Sequence, residues 1–459
     1  MRWNLRPRWE PRKQPRCRKG MRRLLPIVVL MTFVTIAACA DSTPHDAQLV
    51  PRDESSSDAW VTLPAPESQV DDSSVDDSRP GVSAVALFDD RFQLAIIDPT
   101  TGTVVADRQG WQSRASLDGS YAVSTVIVSD GHTKVAWDSI PDGRVIGGTV
   151  IEEQVLEVSA TELNGQLAAL VNPAEPIDDA IAGTRDTSTI VIASPIEGEM
   201  WRIELAGNFV PEAFGRKHDS AGLPTQLFLL EYFPADAPVF YRVRVLSTET
   251  GAVSLPVNLR NKSQLVDEQM AGLSRSQVVA ADSGLLFTLY RGTIDGTPDG
   301  EPYAFVHTLD FGDGVWCLDL DPSLELDALP GTLAVAGDRL YVASANGVVG
   351  SYTISSITDP SREPGVEWAN QIAHAGPLAP VMVANTDGLF VGYDDDQVMR
   401  IGVDGTIDGT IRLPGRAPTA ISLDGSGELL AVGADWSTFA GVDVDVPDWL
   451  GDITQVVTG

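Results

Sequence analysis

Several features of familiar protein classes are scarce or missing in this sequence. Only three cysteines occur in 459 residues, which excludes a small scaffold held together by disulfides. The motifs GxSxG, GxxxxGK(S/T), HExxH and paired CxxC are absent, so nucleophile-elbow hydrolases, P-loop nucleotide enzymes and common zinc sites have no support. The longest apolar run, Leu24 to Ile36, is shorter than the roughly 20 residues that span a bilayer as a helix.

Positive charge is scarce outside the first residues. The chain holds 32 Lys and Arg against 64 Asp and Glu, for a formal net charge of −32. Residues 1–38 contain ten of the basic residues and one acidic residue, so the remainder has 22 basic and 63 acidic residues, or −41. This charge argues against nucleic acid or anionic lipid as the main partner and favours a soluble monomer.

Residues 1–38 have the pattern of an export signal. Arg22 and Arg23 form a positive region, Leu24 to Ile36 an apolar region, and Ala37-Ala38 a small-residue cleavage edge. The basic stretch before Met21 has two interpretations: it is a long positively charged first region of the signal, or translation starts at Met21 and the stretch is not part of the protein. The arginine pair leaves both the general secretory and the twin-arginine export routes open.

The end of this signal, Ile36-Ala37-Ala38-Cys39, resembles the bacterial lipobox. In lipoproteins of that type the cysteine thiol receives a diacylglyceryl group and the signal is cut just before it. The resemblance implies lipidation at Cys39 and a lipid-anchored protein on the outer face of the cell membrane, because two or more acyl chains anchor stably. With residues 1–38 removed and Cys39 lipidated, no second cysteine is left to form a disulfide with Cys317. This residue, in the apolar run Val315–Leu318, is predicted to be buried and inert.

Residues 39–80 differ in composition from the rest of the chain. They are rich in Ser, Asp and Pro and poor in apolar residues, so they cannot bury enough surface to offset the entropy of ordering. We predict a disordered stalk over 39–80, following the signal at 1–38 and preceding one folded domain at 81–455.

Residues 81–455 have an all-β pattern with one recurring phrase, a polar turn ending in glycine followed by an apolar strand. Helical periodicity is suggested only for Ser263 to Leu273. The phrase is seen in "SLDGSYAVS" from Ser116 and in "NTDGLFVGY" from Asn385. Its glycines are Gly119, Gly165, Gly222, Gly284, Gly337, Gly388 and Gly425. Their spacings of 37 to 62 residues bracket the period of about 40–50 residues that four-stranded propeller blades have.

A second phrase, strand, D-x-x-T-G, strand, occurs at Asp98–Gly102, with a related form at Thr248–Gly251. It resembles the repeats of surface-layer and YVTN-type propellers and, more loosely, WD40 and quinoprotein blades. The stretches Glu204–Gly215, Leu227–Leu246 and Tyr303–Pro322 resemble an uncharacterised group of actinobacterial exported propellers. These resemblances imply a β-propeller in the cell envelope and carry no activity.

The terminal units predict how such a propeller closes. The unit Ser83–Gly110 lacks the strand with the glycine turn that begins the other units. The unit Pro418–Val446 has that first strand but little sequence for further strands after it. Joining them gives seven four-stranded blades and hides the exposed sheet edges. A further strand within Asp435–Val446 makes eight blades the alternative.

Candidate site residues are few. His307 alternates with apolar neighbours and is predicted to be a hydrogen-bonded structural histidine; His132, His218 and His374 are far apart in sequence. Asp394, Asp395 and Asp396 are weak candidates for Ca²⁺ ligands, although a plain turn is the simpler interpretation. No other cofactor is predicted.

Two further carboxylates are Glu212, within the "PEAF" element, and Glu231, which follows it in the chain. They either line a groove or are surface charges. Three long inserts, Asn172–Ser188, Phe214–Leu227 and Gly292–Pro302, are the features that would confer specificity. The sequence thus favours a non-catalytic binding or scaffold propeller whose ligand is an envelope protein or polymer. A propeller enzyme, such as a quinoprotein-like dehydrogenase, lactonase or glycan hydrolase, is the alternative.

Overall fold

The computed structural model describes most of the chain after residue 83. The described residues are 84–458, except 100, 129–130, 153, 164, 178–180, 294–301, 313, 327–329, 373–379, 394, 414–416, 424–426, 428, 434–435, 440–441 and 445. The predicted signal, Cys39 and the stalk therefore lie outside the described residues, and the domain boundaries remain predictions.

The described chain folds into consecutive antiparallel sheets, numbered here in chain order. Sheet 1 contains β1 (Val85–Asp89), β2 (Leu94–Asp98) and β3 (Thr103–Asp107). Sheet 2 contains β4 (Gln112–Ala115), β5 (Tyr121–Ile127), β6 (Thr133–Ser139) and β7 (Val145–Ile151). Sheet 3 contains β8 (Glu157–Thr161), β9 (Ala168–Val171), β10 (Thr187–Ser194) and β11 (Gly198–Ala206). Sheet 4 contains β12 (Asn208–Phe214), β13 (Gln226–Phe233), β14 (Phe240–Ser247) and β15 (Val253–Ser254).

Sheet 5 is larger, because β16 (Val257–Asn258) and β17 (Asn261–Leu265) extend it. It continues with β18 (Leu273–Ala280), β19 (Leu285–Thr293), β20 (Pro302–Asp310) and β21 (Gly314–Asp319), and β16 pairs parallel with β21. The helical periodicity noted from Ser263 is wrong, since β17 and extended chain occupy that stretch.

Three more sheets follow. Sheet 6 contains β22 (Gly331–Ala336), β23 (Arg339–Ser344), β24 (Val348–Thr353) and β25 (Val366–Gln371), with the short helix α1 (Ile354–Thr358) before its last strand. Sheet 7 contains β26 (Val381–Asn385), β27 (Gly388–Gly392), β28 (Gln397–Gly402) and β29 (Ile407–Arg412). Sheet 8 contains β30 (Ala420–Leu423), β31 (Leu429–Gly433), β32 (Trp436–Phe439) and β33 (Val442–Val444). In the described ranges no helix is long and apolar enough to cross a membrane.

The last strand, β34 (Ile453–Thr458), completes sheet 1 by pairing antiparallel with β1. The unit Pro418–Val446 was expected to pair with the N-terminal unit, but it forms sheet 8, with β32 and β33 as the additional strands. The described residues therefore contain eight sheets, the number that the sequence left as the alternative to seven.

The apolar core is divided into eight clusters, each lying between two sheets. Tyr341 of sheet 6 and Leu389 of sheet 7 share one cluster, for example, and Leu430 of sheet 8 and Leu87 of sheet 1 share another. Middle strands such as β9 and β10 are buried on both faces, which explains why they read as continuous apolar runs rather than alternating ones. The protein is an all-β propeller in which neighbouring sheets pack face to face.

Candidate functional site

One strand of each sheet lies where neighbouring sheets approach each other most closely. These are termed the inner strands, and each contacts an inner strand of a neighbouring sheet, as β8 does with β4 and β12, and β22 with β18 and β26. The inner strands are β4, β8, β12, β18, β22, β26, β30 and β34.

Small hydroxyl side chains connect several of these strands. Ser159 Oγ on β8 donates to the Pro211 carbonyl on β12 at 2.7 Å. Ser276 Oγ on β18 lies 3.2 Å from Thr332 Oγ1 on β22. These hydrogen bonds satisfy polar groups that would otherwise be costly at the sheet interfaces.

Larger polar side chains converge on the inner strands of sheets 2 to 5. Glu212, half-buried on β12, accepts a hydrogen bond of 2.8 Å from Gln277 Nε2 on β18. Gln277 Nε2 also lies 3.2 Å from Thr288 Oγ1. Burial raises the pKa of Glu212, while the positive charge of Arg114 on β4 and the hydrogen bond from Gln277 oppose the rise.

Arg114 occupies an unusual environment for a cation. Arg114 is exposed to solvent. Desolvation by the surrounding protein nevertheless lowers the pKa of its guanidinium, and the charge of the nearby Glu212 opposes that change. The two observations describe a guanidinium that water reaches but that protein surrounds on most sides. A partly desolvated, oppositely charged pair of this kind interacts more strongly than a pair on an open surface.

Arg185 and Tyr232 extend the polar group on its sheet 3 and sheet 4 side. Arg185 Nε donates to the Asn172 carbonyl at 2.6 Å, and its Nη1 donates to Asn208 Oδ1 at 3.1 Å. Burial raises the pKa of Tyr232, Glu212 adds to the rise, and Arg185 opposes it. We call Arg114, Arg185, Glu212, Tyr232 and Gln277 the inner-strand cluster.

The predicted insert Phe214–Leu227 is fastened to sheet 3. His218 Nε2 lies 2.6 Å from Glu162 Oε1, in the turn that follows β8. Burial raises the pKa of Glu162, and His218 opposes the rise. The insert is thereby held at the end of the inner strand β8.

The other predicted carboxylates behave differently from Glu212. Glu231 accepts hydrogen bonds from Arg242 at 3.0 and 2.9 Å and lies 2.8 Å from Arg244 Nε, so its charge is taken up within sheet 4. Asp394 lies outside the described residues. Asp395 Oδ1 accepts from the Gln397 backbone at 3.2 Å, as in a turn, and calcium binding at Asp394–Asp396 stays a prediction.

Two single-residue predictions are corrected. His307 is 3% exposed, as a structural histidine should be, but its ring makes no hydrogen bond within the described chain. The ring packs edge-on against Tyr290 at 6.4 Å. Burial lowers its pKa to about 4. Cys317 was expected to be fully buried, but it is half-buried and lines a pocket.

Sequence reasoning missed Arg114, Gln277 and Arg185. Arg114 and Gln277 lie on the strands that precede the recurring glycines Gly119 and Gly284, so the strands themselves could be located. Which side chains meet across sheets depends on the packing of four sheets, and one sequence carries no signal of that packing.

No protein-family model and no curated protein matches the chain. Among solved structures, "Dihydro-heme d1 dehydrogenase NirN in complex with DHE" is 14% identical, with a TM-score of 0.44, covering 86% of this chain and 78% of that one. BamB from Moraxella catarrhalis is 13% identical, with a TM-score of 0.39, covering 76% and 88%. The Myceliophteria thermophila Cps50 (Swd1) β-propeller domain is 11% identical, with a TM-score of 0.40, covering 71% and 93%. At these identities and scores the matches say nothing about a ligand or an activity of this chain.

Proposed function

We propose that the protein is an exported, lipid-anchored β-propeller that binds a protein or polymer of the cell envelope and does not catalyse a reaction on it. The inner-strand cluster is the binding site. The single observation that carries this proposal is the convergence of Glu212, Gln277 and Arg114 from three sheets at a place that water reaches.

The cluster suits recognition of a polar ligand. It offers a carboxylate, a neutral amide and guanidinium groups, so it can hydrogen-bond both donors and acceptors. Partly desolvated polar groups discriminate strongly, because a ligand that leaves them unpaired loses affinity. Binding residues are commonly on loops that a rigid scaffold holds in position. In this propeller the sheets are the rigid scaffold, and the predicted inserts are the loops.

The alternative of glycan hydrolysis needs a second carboxylate, because glycoside hydrolases generally use two carboxyl groups about 5 to 9.5 Å apart. Glu157 on β8 lies beside the cluster, where its charge opposes the lowering of the Arg185 pKa by burial. The capture experiment below therefore includes an outcome that distinguishes binding from conversion.

The anchoring part of the proposal rests on Cys39 and the stalk. A stalk of about 40 residues between Cys39 and β1 would hold the propeller away from the membrane surface. We expect Cys39→Ala to abolish metabolic labelling with a fatty-acid probe and to move the protein out of the membrane fraction. Unchanged labelling in Cys39→Ala would contradict lipidation there.

The binding proposal is tested with the full chain, tagged and expressed in its own host. Envelope components are cross-linked in cells, captured under denaturing conditions and quantified for the wild type, Glu212→Gln and Glu204→Gln. Glu204 is exposed on β11, so Glu204→Gln removes one equivalent charge outside the cluster.

We expect one envelope component to be retained by the wild type and Glu204→Gln and to fall at least tenfold in Glu212→Gln. Equal capture by all three forms would contradict the assignment of the site. Chemical conversion of the captured component by the wild type, and not by Glu212→Gln, would favour the enzyme alternative.

A further inference from the structure

A second polar site lies between sheets 4 and 5, and its lining shares no residue with the inner-strand cluster. It is a small pocket of about 20 Å³ that is partly open to solvent. Four side chains with metal-binding or acidic atoms line it, and the other lining residues are mostly apolar. The four are Glu268, Met270, His307 and Cys317.

Two sulfur atoms face each other in this pocket. Cys317 Sγ and Met270 Sδ are 3.7 Å apart. Metal–sulfur bonds of about 2.3 Å allow one ion to contact both sulfurs across such a gap in a bent arrangement. Cys317 forms no disulfide within the described residues, and the site proposed below uses its reduced thiol.

An imidazole stands beside the thiol. His307 on β20 is directly opposite Cys317 on β21 in the strand register, which places both side chains on the same face of sheet 5. His307 lines the pocket and is only 3% exposed. Its ring has no hydrogen-bond partner in the ranges the structure describes. An imidazole of ordinary pKa is already mostly neutral at pH 7, so the ring has a lone pair available for a metal ion.

The donor types decide which ion fits. A thiolate and a thioether are soft ligands that favour Cu(I), and a neutral imidazole also suits copper. Within the described residues no three His, Cys, Asp or Glu side chains are arranged to hold a metal ion, which argues against a tetrahedral zinc site or a calcium site here. The sulfur of Met270 is what makes the set suitable for a soft ion.

We propose that Cys317, Met270 and His307 form a binding site for one Cu(I) ion. Binding replaces the thiol proton with the metal, so one proton is released for each ion bound. Solvent water takes up that proton. Thiolate and Cu(I) together are neutral, which limits the cost of placing the ion among apolar side chains.

The test uses the full chain carrying Cys17→Ala and Cys39→Ala, so that Cys317 is its only thiol. The reduced protein is titrated with Cu(I) in competition with the chromophoric chelator bicinchoninate. We expect one equivalent of Cu(I) to bind, and Cys317→Ser or Met270→Leu to weaken that binding at least tenfold, with His307→Gln having a smaller effect. Met200→Leu, on the edge strand β11, is the matched control and should bind as the parent does.

Every variant is checked for folding by circular dichroism, and Met270→Leu conserves volume, so it tests the site even if Cys317→Ser unfolds. Absence of Cu(I) binding by the parent would overturn the proposal. Binding that survives both sulfur substitutions, or equal competition by Zn(II), would overturn it as well.

Discussion

At the scale of single residues, burial without a partner sets the charge of His307. The folded protein keeps this ring neutral with a pKa of about 4, whereas in the unfolded chain it takes up a proton near the ordinary value of 6.5. Below pH 6.5 the unfolded state therefore binds more protons than the folded state, and stability falls as the pH is lowered towards 4.

This predicts a specific pH dependence for His307→Gln. Wild-type protein should lose about 3 kcal/mol of unfolding free energy between pH 6.5 and 4 through this one group. The difference in unfolding free energy between pH 7 and pH 4, measured by urea denaturation, should be smaller by about that amount in His307→Gln. His132→Gln, outside the strands, is the matched control; an equal reduction in both variants would contradict the account.

The recurring glycines were predictable at the residue scale, because their backbone conformation is local. The six described ones all have positive φ, from 53° at Gly337 to 148° at Gly388. At Gly388 a Cβ atom would also lie 2.1 Å from the Ile401 carbonyl oxygen, so glycine is required for packing as well. Gly425 lies outside the described residues.

At the scale of elements, β34 joins the two ends of the described chain in one sheet. Val456 pairs with Leu87 and faces the core, while the preceding residue, Gln455, pairs with Phe88 and is exposed. The buried Asp89 carboxylate strengthens the junction by accepting the Gly451 backbone N–H at 2.9 Å. Burial raises the pKa of Asp89, but backbone hydrogen bonds from Gly451, Gln93 and Arg91 outweigh it and lower the pKa overall.

The two faces of β34 should respond differently to the same substitution. Val456→Asp places a carboxylate at a position that is 7% exposed and should destabilise the fold by about 3 kcal/mol or more. Gln455→Asp should change stability by less than about 0.5 kcal/mol. Similar denaturation midpoints for the two variants would show that β34 does not pack against β1.

Element order was less predictable than element type. The sequence shows that the N-terminal unit lacks its first strand, but it does not show which segment supplies that strand. Ile453–Thr458 is short, and nothing in its own residues distinguishes it from a C-terminal tail. The short strands β16 and β17 were missed for a related reason. They are stabilised by pairing with β21, far along the chain, rather than by their own sequence.

At the scale of the whole molecule, excess negative charge opposes the compact state. The formal net charge of −32 places many carboxylates near each other, and ions screen such repulsion beyond about 10 Å at 0.1 M salt. The eight inter-sheet clusters supply the opposing apolar burial.

We therefore expect the midpoint of thermal unfolding at pH 7 to rise by several degrees between 10 and 200 mM NaCl. For a domain of this size, a change of 1 kcal/mol in unfolding free energy shifts that midpoint by about 2–4 °C or less. Differential scanning calorimetry measures it. A midpoint that falls with salt would mean that favourable ion pairs such as Arg108–Asp138 outweigh the net repulsion.

The most direct test of the central claim places a photo-cross-linking amino acid at Gln112. This exposed residue lies on β4 two positions before Arg114, so it shares the face of the strand that meets the inner-strand cluster. A matched probe at Thr410, on the exposed edge strand β29, reports nonspecific contact. The account predicts a light-dependent adduct with an envelope component from position 112 in cells and none from position 410. No adduct at position 112, or equal adducts at both positions, would contradict binding at the inner strands.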